Sequence, residues 1–162
     1  MKRRIKVAIC LLVAAVGCDA PNNVAKVAPK GTIEIFSIAP TFASNTMQAL
    51  DPTSGAQIWL VHPPVITTSD VNTVAAIRSN KRDQNGNPIT GDPALQIDLT
   101  ASGASKMKTF TTNRIGTQLA FAVNGTVMST PVVNAPIDAS LVITYNGIDK
   151  TLTTLTGFST PK

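Results

Sequence analysis

The segment Pro93–Ile137, PALQIDLTASGASKMKTFTTNRIGTQLAFAVNGTVMSTPVVNAPI, decides the fold class. Leu95, Ile97 and Leu99 alternate with Gln96 and Asp98, the period of a strand that buries one face. Thr100 or Ser102 then offers a hydroxyl cap to a helix whose Ala104, Met107, Phe110 and Ile115 recur every three to five residues, and Gly116 is placed to end it. Beyond the helix Leu119, Phe121 and Val123 alternate again. Asn124-Gly125 supplies the two positive-φ positions of a type I′ turn, so Thr126–Val133 is expected to return as the partner strand.

The same residues resemble the head region of the first periplasmic domain of SecD, the accessory subunit of the Sec protein translocase. The family's "T-x-x-G-A-x-K" helix start is matched by Thr100, Gly103, Ala104 and Lys106, and its helix exit by Thr111, Gly116, Leu119 and Ala120. The "D-G-x-V-x-S-x-P" hairpin is matched by Asn124, Gly125, Val127, Ser129 and Pro131, followed by Pro136-Ile137. Asn124 departs from the usual Asp, and both residues suit the turn. Upstream, Gln57–Leu60, Pro64-Val65-Ile66-Thr67 and Asp70-Val71 look like the family's short strand and "P-V-L-T-x-x-D-I". The resemblance spans about residues 31 to 157. It implies an α+β fold, an antiparallel or mixed β-sheet with one main helix packed on one face, SecD periplasmic-head-like. It also implies a head that engages emerging polypeptide in the periplasm.

The amino end carries an address. Lys2, Arg3, Arg4 and Lys6 precede Val7–Val16, ten continuous apolar residues, which is signal-peptide size and short of the ~20 needed to span a bilayer. Ala15-Val16-Gly17-Cys18 resembles a bacterial lipobox, with Ala15 where Leu is preferred. The expected organisation is therefore a lipoprotein signal peptide over residues 1–17, lipid attachment at Cys18, a flexible tether over 18–30 and the SecD-head-like domain over 31–162. Several acyl chains, palmitate among them, each contribute ~0.8 kcal/mol per buried methylene and would hold the protein on the membrane. Asp19, directly after the cysteine, resembles an inner-membrane retention signal and favours that membrane slightly over the outer one.

Leader removal changes the meaning of the charge. Four of the 14 basic residues leave with it, so ten remain against nine acidic ones and the formal charge is +1. Nucleic-acid binding is not expected of so neutral a body. Arg78, Lys81 and Arg82 beside Asp83 read as a solvated loop. Cys10 is discarded with the leader and Cys18 carries lipid, so neither a disulfide nor a thiolate metal site is available. About 130 residues remain, enough for one domain with its own core.

Along that body, Thr32–Ala39 reads as the first strand, Thr41–Ala49 as a short helix or ordered loop, Asp51–Gly55 as a turn, and Ile58–Val61 as a strand stopped by His62-Pro63-Pro64. Ser69 or Asp70 is placed to cap a brief helix through Val71, Val74 and Ala75. Lys81–Pro93 is a polar loop, Leu141–Tyr145 a strand, Asn146-Gly147 a turn and Lys150–Leu155 a returning strand.

The sequence is mostly without catalytic patterns. His62 lacks the second histidine or cysteine that zinc or a triad requires, and Asp92, Asp98 and Asp138 are scattered. Neither a phosphate loop nor a dinucleotide fingerprint occurs. Trp59 reads as a core or rim anchor. No enzymatic activity and no cofactor are expected. The expected function is that of a membrane-tethered periplasmic lipoprotein whose head engages exported or unfolded polypeptide, or a Sec or other envelope complex, by strand addition. On this reading the protein is expected to work without the family's proton-coupled transmembrane part. The alternative is a structural or regulatory envelope lipoprotein that reuses the fold to bind a folded partner or a small ligand.

Overall fold

A computed structural model describes residues 24–82, 84–85 and 88–159. The leader, Cys18, Asp19 and Asp83 lie outside the described residues. In chain order the elements are β1 Ile33–Ala39, β2 Thr46–Leu50, β3 Gln57–Val61, a 3-10 turn Thr68–Asp70, β4 Val71–Arg78, β5 Lys81–Arg82, β6 Pro88–Ile89, β7 Pro93–Leu99, α1 Ala101–Thr112, β8 Leu119–Val123, β9 Thr126–Ser129, β10 Ser140–Ile143 and α2 Ile148–Thr156.

The strands form a five-stranded sheet β2-β3-β1-β8-β9, a three-stranded sheet β10-β7-β4 and the small β5-β6 pair. Every strand pairing among the described residues is antiparallel, which resolves the expected antiparallel or mixed sheet. Period-2 alternation aims Ile33, Ile35, Leu119, Phe121 and Val123 from the larger sheet and Leu95, Ile97, Leu99, Val74, Leu141 and Ile143 from the smaller one into a single core. Met107 of α1 and Ile148, Leu152 and Leu155 of α2 complete it. Each such side chain contributes about 1.5–3 kcal/mol when fully buried.

Alternation misjudges β8. All five of its residues are buried, because Ala120 and Ala122 on the reverse face join Phe36 and Leu60 in a second, smaller cluster. Cross-strand pairs Ile38–Leu60, Ala49–Ile58 and Ala122–Val127 line the same side. In a flat five-stranded sheet the edge strands would lie about 19 Å apart, four spacings of ~4.8 Å. Here the Thr130 hydroxyl, just past β9, donates to the Asp51 carboxylate at the end of β2 at 3.1 Å. The sheet therefore curls far enough to bring its two edges together over Phe36.

Four expectations are corrected. Thr41–Ala49 contributes an edge strand, β2, paired with β3 from Thr46 to Leu50. The brief helix after Asp70 is limited to one 3-10 turn, because the β-branched run Val71, Thr73, Val74 and Ile77 suits the pleated strand β4 better. The returning strand over Lys150–Leu155 is instead helix α2. Its buried Ile148, Thr151, Leu152, Leu155 and Thr156 follow the helical spacing of three, four, seven and eight. Finally, α1 stops at Thr112, and Ile115 is exposed beyond it. Gly116, at φ +85°, serves the loop into β8, where its N–H donates to the Val133 carbonyl.

Of the segment expected as a tether, residues 24–30 lie against the domain. Val27 forms an antiparallel bridge with Val74 of β4, and the Lys30 N–H donates to the Leu155 carbonyl.

Candidate functional site

The two sequence motifs meet at one node. Thr67 precedes the 3-10 turn, and the Asp70 carboxylate reaches back to accept from the Thr67 N–H at 3.1 Å. The Asp70 carbonyl accepts from the Thr100 N–H at 2.8 Å, while the Thr100 hydroxyl accepts from the Gly103 N–H and caps α1. One turn along α1, Lys106 donates to the Asp70 carboxylate at 2.7 Å. A Cβ on Gly103 would overlap the Asp70 carbonyl oxygen, so only glycine lets the helix start seat this closely. Burial by itself raises the Asp70 carboxyl, yet the bonds from Lys106 and Thr67 outweigh it and hold the group below its ordinary value. The arrangement seats α1 against the 3-10 turn and β7.

Beside it, Val65, Ser102, Ser105, Lys106, Thr109 and Phe110 line an open depression of about 670 Å³. Arg114 covers the Phe110 ring at 4.4 Å from its centroid.

The β2–β3 hairpin offers a different chemistry. Its register places Trp59 opposite Gln48 and Leu50 opposite Gln57, so Trp59 and Leu50 share a face. Phe42 packs edge-on against Trp59, ring centroids 5.2 Å apart. Phe42 is 67% exposed, Leu50 62% and Met47 45%. Trp59 is half-buried, outside both clusters, and is thus a rim residue. β2 is the terminal strand of its sheet. The sequence pattern does not single out Phe42, Met47 or Leu50: Thr41–Ala49 reads there as a short helix or ordered loop, and Leu50 lies just past it. The available signal was three large apolar residues in ten positions of otherwise polar chain.

His62 is exposed at a cis peptide bond to Pro63, its ring edge-on to Phe36 at 5.1 Å. Asp98 and Asp138 stay apart: Asp138 pairs with Lys108 on the surface at 3.1 Å, and Asp98 with Lys26 at 2.8 Å. Among the described residues no group of three or more His, Cys, Asp or Glu side chains could hold a metal, and no helix is long and apolar enough to cross a membrane.

The fold and this surface define a small antiparallel α+β module with an exposed apolar hairpin and a locked helix start. The model of the SecDF P1 head subdomain matches residues 44–155, and the chain belongs to that family. Protein translocase subunit SecD of Thermobaculum terrenum is 32% identical over 90 residues, which are 56% of this chain and 16% of that protein. The chain thus spans about one sixth of the curated relative it matches. Two solved structures are similar at 20% identity over 72% of this chain. One, SecDF in a super-membrane-facing form, has a TM-score of 0.45 with 17% of its chain covered. The other, described as a membrane component SecDF that enhances protein export, has a TM-score of 0.43 with 56% covered.

Proposed function

We propose that this protein is a lipid-anchored envelope module, attached through Cys18 and facing the periplasm, whose SecD-type head engages extended segments of exported or unfolded polypeptide. The observation that carries this reading is the edge strand β2, where exposed Leu50 shares a face with Trp59 and exposed Phe42 packs on the Trp59 ring. An extended chain adds to such an edge through main-chain hydrogen bonds while apolar side chains beside it accept its own. Isolated exposed hydrophobics need no explanation, but several on one edge hairpin mark an interaction surface. Family membership supports the same reading, since a relative carries the name of a protein translocase subunit. Neither a catalytic nor a cofactor-dependent role is part of this proposal. The anchor is read as an inner-membrane one, from Asp19.

The test is photo-crosslinking in cells from positions 42 and 50 of the full protein, followed by mass spectrometry of what is captured. Many unrelated exported chains, or Sec components, are the expected catch. A single folded envelope protein captured from both positions would replace this reading with a structural or regulatory one.

A further inference from the structure

β4 is the edge strand of the three-stranded sheet, and its outer side already holds a piece of the chain's own amino-terminal segment, bridged at Val27. The Val27 N–H donates to the Val74 carbonyl at 3.0 Å and the Val74 N–H donates to the Val27 carbonyl at 2.8 Å. This is the reciprocal pair of an antiparallel ladder. The segment also obeys the sheet's alternation. Val27 packs against the main core, whereas Lys26 turns to the opposite face and reaches the Asp98 carboxylate at 2.8 Å. Asp98 is built to receive a cation there: its side chain is 17% exposed, the Gln96 amide donates to one oxygen at 2.8 Å, and the Thr73 hydroxyl donates to the other at 3.0 Å. Further along, the Lys30 N–H is held by the Leu155 carbonyl at the end of α2.

We propose that the outer edge of β4 is an acceptor site for an extended segment carrying a basic residue followed by an aliphatic one, and that Lys26-Val27 is a built-in placeholder that such a segment displaces. Val74 supplies main-chain pairing, the core face takes the aliphatic side chain, and Asp98 selects the preceding cation. A resident segment held by one bridge, one ion pair whose lysine is exposed, one further backbone bond and the packing of a single valine is exchangeable. Each of these holds is one that an incoming segment can also make, and the resident's remaining advantage is the high local concentration that covalent attachment gives it. That the incoming segment belongs to a client polypeptide rests on the function proposed above; the site itself rests on the β4 geometry.

The test uses the full chain in detergent and a fluorescent peptide of residues 22–31, NNVAKVAPKG. Val27→Pro removes the N–H that bonds Val74, and Lys26→Glu sets two carboxylates against each other. Either variant is expected to bind the peptide at least tenfold more tightly than the unaltered chain, and replacing the peptide's lysine at position 26 by glutamate is expected to weaken binding at least tenfold. Adding Asp98→Asn to either variant should remove that discrimination. Should Val27→Pro disturb folding, Lys26→Glu provides the same reading from a surface change. Equal binding by variants and unaltered chain, or equal binding of the lysine and glutamate peptides, overturns the proposal. The outcomes separate from those at positions 42 and 50: peptide binding without captured clients leaves the acceptor site and removes the polypeptide-engaging function, and the converse removes only the acceptor site.

Discussion

Gly103 and Asp70 show how much of this fold is set by single atoms. A helix interior ordinarily gains about 1 kcal/mol when glycine becomes alanine. At position 103 the added methyl meets the Asp70 carbonyl oxygen, and either the helix start or the 3-10 turn must move. Gly103→Ala is therefore expected to destabilise the protein by about 1–3 kcal/mol, read as a lower urea midpoint. The Asp70 carboxyl, held below its ordinary value of 3.8, gives the pH dependence its sign. A depressed acid contributes stability above the unfolded value and loses it as pH falls through the folded one. Urea midpoints should thus decline as pH drops below about 4, and Asp70→Asn should remove part of that decline, Asp51 and Asp98 being held low as well. The same substitution should weaken the protein at pH 7 by about 1–3 kcal/mol through the lost charge and the loss of one of the two carboxylate acceptors that Thr67 and Lys106 use.

At the level of elements, α2 and the β2–β3 hairpin make opposite predictions. Leu152 is fully buried where α2 meets the core shared with β4 and β7, so Leu152→Ala is expected to cost about 2–5 kcal/mol. Phe42→Ala alters a residue that is 67% exposed. Thermal or urea unfolding should move by only about 0.5 kcal/mol, while capture of polypeptide from position 50 falls severalfold. A large stability loss with unchanged capture would assign Phe42 to the fold instead. The same elements show what local pattern can and cannot reveal. β7 and the β8–β9 hairpin were legible because alternation and Asn124-Gly125 are local signals; Asn124 at φ 49° and Gly125 at φ 75° supply the expected turn. α2 was misread because threonines fill its sequence. Isolated propensity favours a strand there, and only burial of Ile148, Leu152 and Leu155 against two strands makes the helix stable.

For the whole molecule, the proposed anchor predicts the mature form of the protein. Cys18→Ser removes the only proposed acyl attachment together with the lipobox cleavage signal, so the variant should keep its leader and carry no acyl chain, without a change in the folded domain. Intact-mass measurement checks this: the unaltered protein should begin at Cys18 and carry the acyl mass, the variant should carry none, and an unaltered protein without that mass would refute the lipid anchor. Sequence by itself determined the α+β class, the main helix, the tight hairpin and the family motifs, because alternation, caps and turn chemistry act between residues a few positions apart. Only the tertiary structure decided that the two motifs join through Asp70 and Lys106, 36 positions apart. It alone curled the larger sheet until Asp51 met Thr130, 79 positions apart, laid Val27 on the edge of β4, and left Phe42 and Leu50 outside. Those outcomes depend on which strands become neighbours and which edges stay open, and pairing across such distances follows from packing the whole core rather than from any local run of residues.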